Sequence, residues 1–142
     1  MKYRIFLVPQ LEGGYYVAIP ALIGCQTQGE NREHAIEMAK EAIQLFTEGI
    51  KDPGVEVLPD SSMEETIINW NGKEFRSFIV PRLNSGFTIE IPTLPGCGKY
   101  GRTKEQALEN TNKELKKCLD EIEEDGDPIP EDSKTEEVIV EV

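Results

Sequence analysis

The chain opens on an apolar stretch, Lys2–Val8, rich in β-branched and aromatic residues, which predicts a first strand. Leu11-Glu12-Gly13-Gly14 supplies turn residues, and the alternating run Tyr15–Ile19 predicts a second strand folded back as a hairpin. Pro20 stops that strand, because proline has no N–H to donate to a ladder. Leu22-Ile23-Gly24-Cys25 then turns the chain into a short third strand, Cys25–Gln28, ending at Gly29. From Asn31, placed to cap a helix, the period changes. Ala35, Ile36, Ala39, Ala42, Ile43, Phe46 and Ile50 recur at helical spacing and form one apolar stripe. A turn-rich connector over 52–62 leads to a fourth strand, Thr66–Trp70.

The same pattern then starts again. Shifted by 72 positions, the chain matches itself at 22 of 70 pairs without a gap. Ile19-Pro20-Ala21-Leu22-Ile23-Gly24-Cys25 aligns with Ile91-Pro92-Thr93-Leu94-Pro95-Gly96-Cys97, and Gly29 with Gly101. The second helix carries a weaker stripe, Ala107, Leu108, Thr111, Leu115, Cys118, Leu119 and Ile122, behind Thr103 and Gln106 at capping-box spacing. The chain therefore reads as a tandem duplication of a βββα-β unit, with repeat 1 over 1–72 and repeat 2 over 73–142. Asn71-Gly72 is the only linker. One helix stripe against one sheet face makes each unit a small two-layer α+β core. A unit of this size lies near the lower limit for folding unaided, so the two are expected to pair as an intrachain pseudo-dimer. A homo-oligomer is left open.

Charge narrows the partners. The chain has 142 residues and a net charge of −12, divided evenly between the halves. Nucleic-acid phosphates are bound through lysine and arginine, so direct nucleic-acid binding is not expected, whereas a basic protein would be attracted. No apolar run approaches membrane-helix length, and the stretch ending at Pro9 is too short for a signal peptide. A cytoplasmic protein with no membrane contact is expected.

Candidate chemistry is sparse. His34 is the sole histidine, and Gln106 stands at its equivalent position. Cys25 and Cys97 are equivalent, but nucleophilic use needs a lowered thiol pKa and a base, and repeat 2 has no histidine. Both read as small apolar residues packed under the turn, and Cys118, in place of Phe46, as core. A two-metal site needs carboxylates converging from strands; the second strands offer only Glu90, where repeat 1 has Ala18. Eight of the thirteen residues from Asp120 to Asp132 are acidic, which reads as a helix end and a solvated loop. No catalytic, metal or cofactor-binding residue is assigned, and an enzyme is not expected.

The order Gly-Gly-Tyr-Tyr-Val-Ala-Ile-Pro-Ala-Leu-Ile-Gly-Cys, then Thr-Gln-Gly, then Glu-His-Ala at the helix start resembles the N-terminal domain of HicB-like antitoxins. The second repeat carries it as Gly-Phe-Thr-Ile-Glu-Ile-Pro-Thr-Leu-Pro-Gly-Cys, Gly101 and Glu105-Gln106-Ala107. The resemblance implies a partial RNase H-like fold without catalytic carboxylates, a tendency to oligomerise, and a small basic ribonuclease toxin, HicA-like, as partner. Many members add a C-terminal DNA-binding domain. Here a second repeat occupies that place, so operator binding is not expected. An antitoxin-like binding module and a stand-alone non-catalytic domain of unknown ligand both remain open.

Overall fold

The computed structural model describes residues 1–48, 57–83 and 85–142. Ile50 and residues 52–56 of the first connector, expected over 52–62, lie outside the described residues. The first half holds β1 (Lys2–Pro9), β2 (Tyr15–Ala18), β3 (Gln26–Gly29), α1 (Arg32–Glu48) and β4 (Glu64–Trp70). The second half holds β5 (Lys73–Pro81), β6 (Phe87–Glu90), β7 (Tyr100–Gly101), α2 (Lys104–Glu124) and β8 (Glu136–Glu141). A short 3-10 turn precedes β4 at Asp60–Ser62, and another precedes β8 at Asp132–Lys134. The protein is α+β, with two four-stranded antiparallel sheets and two helices.

The order within the sheets departs from the repeat boundaries. One sheet runs β3-β2-β1-β8 and the other β4-β5-β6-β7. The last strand of each half of the chain thus pairs with the first strand of the other half. The compact units are accordingly Met1–Ser62 with Lys134–Val142, and Met63–Ser133. Asn71 and Gly72 supply the physical reason. Trp70 pairs with Lys73, and the two residues between them sit at φ 51° and 82°. Two central residues at positive φ are the mark of a type I′ hairpin, whose twist matches the strands it joins. The dipeptide folds β4 directly onto β5.

The β1–β8 pairing has the same register. Tyr3 faces Val140 as Phe75 faces Ile68. At its open end, the Met1 amino group donates to the Val142 carbonyl at 2.9 Å, and the Val142 N–H donates back to the Met1 carbonyl at 2.9 Å. An arginine on the first strand ties the 3-10 turn down in each unit. Arg4 donates from its backbone N–H and from Nε to the Asp60 carboxylate, at 3.0 and 2.8 Å. Arg76 donates from Nε to Asp132 at 2.7 Å, and Thr93 donates to the other oxygen of that carboxylate at 2.7 Å. Both ion pairs are largely shielded from water, so they fix the entry of β4 and β8.

Each helix covers one face of its sheet. In the continuous unit Ile68, Phe75, Ile79, Ile89 and Ile91 of the sheet meet Ala107, Leu115 and Leu119 of α2. The other unit buries the equivalent Tyr3, Leu7, Val17 and Ile19, with Ala35, Ala39 and Ile43 of α1. Leu22 and Leu94 plug the turn after the second strand and are fully or almost fully buried. Gly24 and Gly96 carry that turn at positive φ. A Cβ on Gly29 would lie 2.4 Å from the Ala35 backbone, and one on Gly101 2.2 Å from that of Ala107. These glycines let the third strand run directly into the helix.

Candidate functional site

The helix starts are built alike by different residues. Thr103 caps α2, its hydroxyl accepting from the Gln106 N–H at 3.0 Å, and the Gln106 carbonyl oxygen accepts from the Arg102 N–H at 2.8 Å. At α1, Asn31 accepts from the His34 N–H at 2.8 Å, and His34 Nδ1 accepts from the Glu30 N–H at 3.0 Å. His34 therefore does the work of Gln106: both satisfy a backbone donor ahead of the helix. The sequence difference at this position conceals one shared role.

Around that helix start the unit containing α1 has a hollow of about 660 Å³. Its floor is Gly14 and Gly29, which approach so closely that a Cβ on Gly14 would lie 2.8 Å from the Gly29 carbonyl oxygen. Tyr15, His34, Met38, Gln10, Glu12, Gln28 and Glu30 also line it. Gln10 donates from Nε2 to the Val8 carbonyl at 3.0 Å, which leaves its amide oxygen as an acceptor. In the unit containing α2 a tyrosine stands at the position of Gln28. Tyr100, equivalent to Gln28, lies across Gly86 and donates to the Ser85 carbonyl at 3.1 Å; a Cβ on Gly86 would stand 2.3 Å from its hydroxyl.

The cysteines are not brought together as a reactive pair. Cys25 is buried under its turn, and burial pushes its thiol up to about 11, the reverse of an activated nucleophile. Cys97 and Cys118 form a disulfide that ties the turn after β6 to α2. Both were expected as plain core residues. Spacing alone did not reveal the bond, since a partner 21 residues away is set by how α2 lies on the turn. Glu90 lies on β6 opposite Phe78, and burial pushes its carboxyl up to about 7 against a smaller opposing effect of Arg82. No group of three or more His, Cys, Asp or Glu able to hold a metal ion occurs among the described residues. No helix among them is long and apolar enough to cross a membrane.

Two ion pairs anchor the last strands to the helix starts. Arg32 grips Glu136 of β8 through hydrogen bonds of 2.7 to 3.0 Å, and Lys104 pairs with Glu64 of β4 at 2.8 Å while lying over the Phe87 ring. These pairs are solvent-exposed, so they orient more than they stabilise.

Taken with the antiparallel sheet, the single covering helix and the Gly-Cys turn, the sequence places the chain in a family. Residues 3–83 match the profile of the HicB-like antitoxin of bacterial toxin-antitoxin systems, and the chain belongs to that family. It is 36% identical over 67 residues to a UPF0150 protein of Thermoplasma acidophilum, an alignment covering 47% of this chain and 97% of that protein. It is 42% identical over 49 residues to a UPF0150 protein of Synechocystis, covering 34% and 62%. It is also 46% identical over 43 residues to antitoxin HicB 1 of Photorhabdus laumondii, covering 30% of this chain and 28% of that antitoxin. No solved structure matches.

Proposed function

We propose that this chain is a non-catalytic protein-binding module that captures and neutralises a small basic ribonuclease of the HicA type. The observation that carries this reading is membership of the HicB-like antitoxin family. The net charge of −12 supports it, because a strongly acidic surface attracts a basic partner and speeds encounter. The state of the candidate nucleophile agrees: a buried thiol with a raised pKa is a poor attacking group at neutral pH. On this reading the sheets and caps serve to hold a surface in shape.

The test is co-expression with the small basic protein encoded beside this chain. Restored growth of cells making that protein, together with co-purification of the two, is the expected result. If no such neighbour exists, or if the chain neither binds it nor relieves its toxicity, the antitoxin role fails. A stand-alone non-catalytic domain is then the better description.

A further inference from the structure

The hollow beside α1 differs from its counterpart beside α2 in both space and charge. Gln28 lines it, whereas Tyr100, its equivalent, lies across Gly86 and donates to the Ser85 carbonyl. Its lining includes Glu12 and Glu30; the equivalent positions carry Asn84 and Arg102, and Gln10 is replaced by Arg82. An anion is disfavoured there despite the nearby helix start, because Asn31 and His34 already accept from the backbone donors around it and two carboxylates would repel it. A cation meets those carboxylates, and Gln10 and Tyr15 line the same hollow. Met38 and Tyr15 offer apolar surface to a long methylene stem.

We propose that this hollow receives the side chain of an arginine or lysine presented by a basic protein partner, and that the unit containing α2 has lost the site through Tyr100 and Arg102. The proposal rests on the protein-binding reading above and locates one contact of it.

The test is a titration of the ¹⁵N-labelled full chain with Nα-acetyl-arginine amide at low salt, with Nα-acetyl-glutamine amide as the neutral control. Saturable shifts of the Gly13, Gly14, Gly29 and Glu30 amides with the arginine probe alone are expected. The Glu12→Gln/Glu30→Gln double variant should bind about tenfold more weakly, as expected from losing two exposed charge pairs. Gln28→Tyr, which installs the residue of the other unit, should abolish the shifts while leaving the remaining spectrum unchanged. Absent shifts, equal shifts with the neutral probe, or shifts indifferent to both variants would overturn the assignment. Growth rescue separates this from the parent reading. Rescue undiminished in Gln28→Tyr removes the hollow from the partner contact and leaves the antitoxin role intact, whereas failure of the unsubstituted chain to rescue removes that role whatever the probe does.

Discussion

Glu90 gives the sharpest stability prediction. It sits on β6 opposite the fully buried Phe78, where the other unit has Ala18. Burial raises its carboxyl from 4.5 to about 7. The folded chain therefore holds a proton on Glu90 across a pH range in which the unfolded chain has released it. By linkage, stability falls as pH rises through that window. The protonated form's advantage is fully present below 4.5 and is lost once pH passes 7. At about 1.36 kcal/mol per pKa unit, the shift corresponds to a ceiling of ~3 kcal/mol, lowered by the part of the side chain that water reaches. Glu90→Gln keeps the shape and removes the charge. Urea unfolding at pH 4.5 should give matching midpoints for the two proteins. At pH 8 the variant should be the more stable, by up to ~3 kcal/mol. Equal midpoints at pH 8, or a variant weaker at both pH values, would refute the argument that a buried carboxylate weakens this fold.

Other perturbations test separate parts of the account. Reducing Cys97–Cys118, or replacing Cys118 with serine, should lower stability by ~3 kcal/mol, the loop-closure effect for a separation of about 21 residues; urea melts with and without reductant read this directly. Gly101→Ala forces a Cβ against the Ala107 backbone and should cost at least ~1–3 kcal/mol, as overpacking does, seen as a lowered thermal midpoint. A circular permutant joining Val142 to Met1 through Asn-Gly and opening between Asn71 and Gly72 should fold with an unchanged amide spectrum, because the two termini already hydrogen-bond to each other.

Much of the local structure was legible because periodicity reports burial. Ala35, Ala39 and Ile43 recur at helical spacing and are buried on α1. The position of Leu22 between Pro20 and Gly24 marked a plugged turn. Topology was harder. Asn71-Gly72 reads as a mere tether when it is taken as the seam between two repeats. Its other meaning, a hairpin turn requiring positive φ twice, pairs β4 with β5 and so exchanges the last strands. His34 and Gln106 differ in side-chain chemistry but place an acceptor alike; each accepts from the residue ahead of the cap. The hollow was not legible either. It depends on whether residue 28 or residue 100 can reach across a glycine to a carbonyl, a matter of side-chain length that no periodicity records.

The pairing of β8 with β1 and of β4 with β5 is the claim on which the fold stands, and a nuclear Overhauser measurement on the labelled full chain tests it most directly. Contacts between Tyr3 and Val140 and between Phe75 and Ile68 are the predicted result, as the registers require. Contacts between Tyr3 and Ile68 and between Phe75 and Val140 would place each last strand in its own half of the chain and contradict the account.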